Sequence, residues 1–427
     1  MAVDYHLVDH RDPYLFKTSD YGKSWTRLDG GLPKGHPLDY TLSIAENPRR
    51  RGMLFAGTGH QFFYSKDDGK SWTVFKDRLP AAPVTYIEVP KNAPEVAVAT
   101  YGRGLWILRD AWGLEGPAEP AQAAGGEITL FKPVPATIRA NGGTAAFVFS
   151  MAAAPSGPIT MEILDATNSV INTSRVTARA GMNQATWNML YPPPVRVTMR
   201  SIPPDNPYIW EAGRWQNRER PPTHWGLGAA NWQPRAAPGK YTVRMTLNGK
   251  QYSQPFEIWR DVMLTSTDAD LVASLEFQKK IIGTMNEVAD KINRIEIMRM
   301  QVEDLRKANA SNAALDKSLA SIYQRMYDTE LHFLSKTEMH SDDKWYVEKY
   351  KLFFNLIWLL AEVGGSGGDV MGGAGYKPTN ASLSVYQEFL KDLEVGRAAF
   401  DKLNADVAAF NKANAGKITI TDKMPGR

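Results

Sequence analysis

The 427-residue chain has no cysteine. That excludes disulfides, a thiol nucleophile and thiolate metal sites. Histidine is also scarce, at seven residues, and none falls in a His-Glu-x-x-His or comparable ligand spacing. His6 and His10 stand four apart among Asp4, Asp9 and Asp12, which reads as a polar N-terminal loop rather than a metal pocket. No metal and no cofactor is therefore expected. There is no long hydrophobic run. The most apolar stretch, Leu352 to Ala361, is about half a membrane span and is interrupted by Asn355, so it reads as a buried helix. Nor is there an excess of one charge, since 50 Lys+Arg face 46 Asp+Glu. The basic clusters, such as Arg49-Arg50-Arg51 and Lys279-Lys280, are short and scattered, which argues against nucleic acid as a partner. No secretory leader pattern is visible at Met1-Ala-Val-Asp-Tyr-His6.

What the sequence does contain is a repeat. Thr18-Ser-Asp20-Tyr-Gly22-Lys-Ser-Trp25 returns 47 residues later as Ser65-Lys-Asp67-Asp-Gly69-Lys-Ser-Trp72. In each copy Asp-x-Gly calls for a tight turn in which glycine takes positive φ. The Asp carboxylate and the Ser/Thr hydroxyl can bond the turn backbone, and the tryptophan opens the next strand. On this reading Thr18, Asp20, Gly22, Trp25, Ser65, Asp67, Gly69 and Trp72 are structural. A third, degenerate copy runs over Val96–Asp110 and lacks the Asp-x-Gly-x-x-Trp ending, as a terminal repeat often does. The period, the short strands and the Gly/aromatic punctuation fit blades of a β-propeller.

Residues 114–127 are rich in Pro, Ala and Gly and read as a linker. Over 128–262 the pattern is again β. The turn Asp165-Ala-Thr-Asn168 and the pair Asn248-Gly249 mark two hairpins, and the strand spacing suggests an immunoglobulin-like sandwich. An insert at 191–237 interrupts it and carries Tyr191, Tyr208, Trp210, Trp215, Trp225 and Trp232 among many prolines. Flat aromatic faces suit either a docking surface or a sugar. From Thr267 onward apolar residues recur at helical spacing, with helices expected from about 267, over 312–335, 343–362 and 380–414. The glycine run 364–375 joins the last two. It is not a phosphate loop, because it lacks the Gly-Lys-Ser/Thr ending. The expected fold class is therefore multidomain β plus α. It comprises a partial Asp-box propeller (1–113), an immunoglobulin-like sandwich (128–262) and an antiparallel four-helix bundle (263–427).

Both Asp boxes, Ala99-Thr-Tyr-Gly-Arg-Gly-Leu-Trp-Ile-Leu-Arg-Asp110, Ala237-Pro-Gly-Lys-Tyr241, and Lys377-Pro-Thr379 through Phe410-Asn411 together resemble one family. It is the C-terminal half of the large bacterial BNR/Asp-box propeller proteins, glycosyl-hydrolase-like or sortilin-like. The resemblance implies export to the periplasm or beyond, and more blades than these. The chain then reads as a C-terminal fragment or a short paralogue. Its missing blades are expected from another chain or subunit, or from a homo-oligomer. A glycosidase needs a defined carboxylate pair, and none stands out. Tyr101 and Arg103 in the Thr100–Gly104 turn, with Tyr208, Trp210, Trp215, Trp225 and Trp232, are the candidate ligand or interface residues. The expectation is a non-catalytic binding and assembly protein; the alternative is a glycoside hydrolase-like protein or its glycan-binding remnant.

Overall fold

A computed structural model describes residues 1–76, 79–91, 95–108, 127–139, 142–204, 219–222, 233–336, 349–364, 376–414 and 417–421. They form a mixed β plus α protein with antiparallel sheets and helices. The chain divides into two compact units. The first holds residues 1–137, 143–187 and 239–259, and the second holds 138–142, 188–238 and 260–427.

The first unit begins with three small antiparallel sheets. β1 (Ala2–Val3), β2 (Tyr14–Lys17) and β3 (Thr26–Arg27) make one. β4 (Thr41–Glu46), β5 (Leu54–Thr58), β6 (Phe62–Ser65) and β7 (Thr73–Val74) make a four-stranded meander. β8 (Val84–Glu88), β9 (Val96–Thr100) and β10 (Gly104–Leu108) make the third. The middle sheet is apolar on both faces because its alternate residues point opposite ways. Leu54, Ala56 and Phe63 pack with Leu15, Leu32 and Trp72 on one side. Phe55 and Phe62 pack with Val84, Ile87, Val96 and Val98 on the other. Two buried hydroxyls pin the stack. Thr41 Oγ1 donates to Tyr14 O at 3.0 Å, and Ser43 Oγ donates to Val84 O at 2.9 Å. Gly57 is required where the second and third sheets meet, since a Cβ there would lie 2.5 Å from Ser43 Oγ and from Val84.

The remainder of this unit is two further sheets. One has β11 (Ile128–Leu130), β13 (Ala145–Met151) and β16 (Gly181–Trp187). The other has β12 (Ala136–Ile138), β14 (Ile159–Leu164), β15 (Val170–Val176), β17 (Gly239–Leu247) and β18 (Lys250–Arg260). Strict alternation along β13 sends Phe147 and Phe149 inward. Phe147, Trp187, Tyr241 and Phe256 then meet edge-on or tilted, with centroids 5.1–6.5 Å apart. Both expected hairpins form. Asn248 (φ 50°) and Gly249 (φ 78°) make the two-residue turn that closes β17 on β18, because both central positions need positive φ. Asp165 Oδ1 accepts from the backbone of Thr167 and Ser169 to close β14 on β15.

The second unit has four described helices, α1 (Asp268–Ala308), α2 (Ala313–Glu330), α3 (Leu352–Gly364) and α4 (Asn380–Ala413). A capping box starts α1, in which Thr267 and Asp270 exchange side-chain bonds to each other's backbone. Asn312 and Thr379 cap α2 and α4. Helix α3 begins later than the sequence suggests. Residues 349–351 are not helical, and Phe353 N bonds Phe333 O at 3.0 Å. Val197 and Met199 of the insert belong to the helical core, so this part of the insert groups with the helices and not with the strands that flank it. Its backbone runs along α1 and is bonded by polar side chains of that helix. Val195 N donates to Asn286 Oδ1 (2.7 Å), Thr198 N to Asn293 Oδ1 (2.8 Å), Ser201 N to Glu296 Oε2 (2.7 Å) and Ile202 N to Glu303 Oε1 (2.8 Å). Asn293 Nδ2 also returns a bond to Arg196 O. The helix thus supplies what a neighbouring strand would otherwise supply. The linker 114–127 except Glu127, and the glycine run after Gly364, lie outside the described residues.

Candidate functional site

The two Asp boxes have nearly superimposable geometry. In the first, Asp20 Oδ1 accepts from Thr18 Oγ1 and Ser24 N, both at 2.9 Å, and Oδ2 accepts from Ser24 Oγ at 2.6 Å. Gly22 N donates to Thr18 Oγ1 at 2.7 Å. In the second, Asp67 receives Ser65 Oγ, Ser71 N and Ser71 Oγ at 2.6–2.9 Å, and Gly69 N donates to Ser65 Oγ. Gly22 and Gly69 take φ of 90° and 82°, as the motif requires. The serine hydroxyl and backbone, then the Thr18 or Ser65 hydroxyl, pull both carboxyls down to about 2. Each carboxylate is thus committed to its own turn.

The tryptophans part company. Trp72 is 9% exposed, and its indole N–H donates to Leu28 O, directly after β3, at 2.7 Å. Trp25 is 46% exposed, and its indole turns back to Gly22 O at 3.1 Å. At the other end of the stack, the outer face of the third sheet is apolar and open. Tyr86, Ala99 and Leu105 lie in one cross-strand row, and Glu88, Ala97 and Ile107 in the next. Tyr86, Leu105 and Ile107 are all exposed, whereas Ile87 and Val98 on the opposite face are buried.

Tyr101 and Arg103 sit in the exposed turn between β9 and β10, shaped by Gly102 and Gly104 at positive φ and by Thr100 Oγ1 on Gly104 O. Tyr208, Trp210, Trp215, Trp225 and Trp232 lie outside the described residues. Tyr191 is buried, with the Lys279 ammonium 4.8 Å above its ring.

Two clusters escape a reading of spacing. One is buried in the helical unit. Arg299 donates to Glu296 Oε1 (3.1 Å), Tyr323 OH (2.8 Å) and Ile202 O (3.3 Å) and pairs with Glu330. Burial, then the Glu296 charge, holds Glu330 well above the usual carboxyl range. Burial also pushes Glu296 up, but Arg299, Ser201 and the Arg200 N–H outweigh it and leave Glu296 low. The other cluster is His36, Asp39 and His60 in the first unit. Among the described residues no helix is long and apolar enough to cross a membrane.

No family model matches the chain, and no curated protein matches it. Among solved structures, the extracellular domain of a B. thetaiotaomicron protein described as a one-component system (BT4673) is similar at 7% identity and a TM-score of 0.19. The match covers 57% of this chain and 28% of that one.

Proposed function

We propose that this is a binding and assembly protein, and that its first three sheets are closing blades of an Asp-box propeller of the BNR, sortilin-like kind. The sandwich of aromatic residues is then the immunoglobulin-like domain and the four helices the bundle. One observation carries the reading. The middle sheet is covered on both faces, while the third sheet leaves an apolar face open, and Trp25, beside the first sheet, is bare where its repeat mate Trp72 is capped. A closed propeller has roughly 4–8 blades. These exposed surfaces are therefore suited to further blades, from another chain, from another copy or from another stretch of the same polypeptide. A periplasmic or extracellular site accompanies this family reading. The committed Asp-box carboxylates support a non-catalytic role for that motif.

Sedimentation velocity of residues 1–427 over a range of concentrations tests the proposal. Association that Leu105→Lys with Ile107→Lys, or Trp25→Asp, weakens is the expected result. A monomer at every concentration, indifferent to these changes, counts against it.

A further inference from the structure

His36, Asp39 and His60 stand apart from the Asp boxes and from the open sheet face. Their ligand atoms all lie within 4.8 Å of one another. The chain brings them together from two loops. His36 and Asp39 belong to the turn before β4, closed by Asp39 N on His36 O at 3.0 Å. His60 sits in the turn between β5 and β6. The two turns are joined by Gly59 N on Tyr40 O at 3.0 Å. Gly59 permits the approach, because a Cβ there would come within 2.8 Å of Leu38 O and 2.9 Å of the Tyr40 ring.

The polar atoms are specifically arranged. Asp39 is 2% exposed. Its Oδ2 accepts from His36 N at 2.8 Å, but its Oδ1 is buried without a hydrogen-bond partner. That oxygen faces His60 Nε2 at 3.9 Å. His60 Nδ1 lies 2.9 Å from Leu38 O, and a carbonyl only accepts, so Nδ1 carries a proton and Nε2 is the ring nitrogen left to act as a ligand, on the side of Asp39. A backbone carbonyl on the second ring nitrogen is the usual support of a metal-binding histidine. The His36 ring lies alongside, with its centroid 4.6 Å from that of His60. Its Nδ1 accepts only a long bond, from Leu38 N at 3.2 Å. A buried carboxylate oxygen without a hydrogen-bond partner, facing a ring nitrogen across a gap, is suited to a cation between them. At 3.9 Å the gap is too wide for a proton, since an N–H···O bond spans about 2.7–3.2 Å.

We propose that His36, Asp39 and His60 form a binding site for a divalent transition-metal ion of the zinc class. Two imidazoles and one carboxylate supply three ligands, and the exposed His36 side leaves a fourth position to water. Ligands at about 2.0–2.2 Å from such an ion stand roughly 3.3 Å apart, so the three groups draw together slightly on binding. The inference is independent of the propeller reading.

The test uses the 1–427 chain after chelator treatment and dialysis, titrated with Co(II) and then Zn(II) and followed by calorimetry and by Co(II) visible absorption. One equivalent of Co(II) is expected, with the intense bands of a four- or five-coordinate site, displaced by Zn(II). His60→Ala and Asp39→Asn should weaken binding by more than the roughly 10–100-fold of an outer-shell change. His10→Ala should leave it unchanged. Circular dichroism checks that each variant folds, and the exposed His36→Gln carries the test if Asp39→Asn does not. Absence of saturable binding below about millimolar metal, or binding that survives both His36→Gln and His60→Ala, overturns the proposal.

Discussion

Trp72 donates its indole N–H to Leu28 O across 44 residues of sequence, whereas Trp25 bonds only Gly22 within its own turn. Identical motifs therefore carry different loads. Trp72→Ala removes a ring from the core between the first two sheets, and a loss of about 3–5 kcal/mol is expected. Trp25→Ala should change the stability of the isolated chain by about 0.5 kcal/mol or less. Thermal and denaturant unfolding of the two variants side by side gives the comparison.

Gly57 gives a second contrast. Gly57→Ala drives a methyl into Ser43 Oγ and the Val84 backbone, whereas Gly30→Ala meets nothing within 4 Å. The first should cost about 1–3 kcal/mol, as overpacking does. The second should be close to neutral. An equal effect in denaturant unfolding would contradict the packing described.

The Asp-box carboxyls offer a pH reading. Asp20 and Asp67 are both held near 2 by serine and threonine donors. A depressed folded value means that their contribution to stability is present above the ordinary carboxyl range and disappears as pH falls through about 2. Carboxyl carbon NMR should show these two groups titrating below the other aspartates. Ser24→Ala and Ser71→Ala should each raise the value of the partner carboxyl alone.

The buried cluster around Arg299 separates two glutamates of opposite behaviour. Glu330 has a raised value, so its contribution is present below the ordinary carboxyl range and declines as pH rises toward its folded value. Glu330→Gln, which does not titrate, should flatten that decline. Glu296 is the charged partner, with bonds from Arg299 and Ser201. Glu296→Gln should cost about 3–5 kcal/mol, as breaking a buried pair does. A decline that persists unchanged in Glu330→Gln would reverse this assignment.

Local chemistry made part of this readable from sequence. Asp-x-Gly-x-x-Trp and Asn248-Gly249 specify their own turns, because every donor and acceptor lies within a few residues. Thr267 and Asp270 likewise cap α1 across three positions. His36 and His60 could not be paired in this way, since it is the antiparallel pairing of β4 with β5 that brings one turn to the other. The insert stands out in sequence by its tryptophans, yet among its described residues the docking on α1 rests on Val197, Met199 and backbone amides, which composition does not reveal. The one available signal was in α1, where Glu296 and Arg299 interrupt the apolar run Ile295-Glu-Ile-Met-Arg-Met300. A charge between buried neighbours on a helix implies a partner, but not its address.

The strap along α1 has a kinetic consequence. Its amides find acceptors on residues 91 to 101 positions later in the chain, so it has no place to settle until that helix exists. Long-range closure of this kind is slow compared with helix growth. On refolding, the helical circular dichroism signal should return first. Protection of the Val195, Thr198 and Ser201 amides from hydrogen exchange should follow as a separate, later phase. A chain emerging in order from its N-terminus would hold this segment unpaired until the helix behind it has been made.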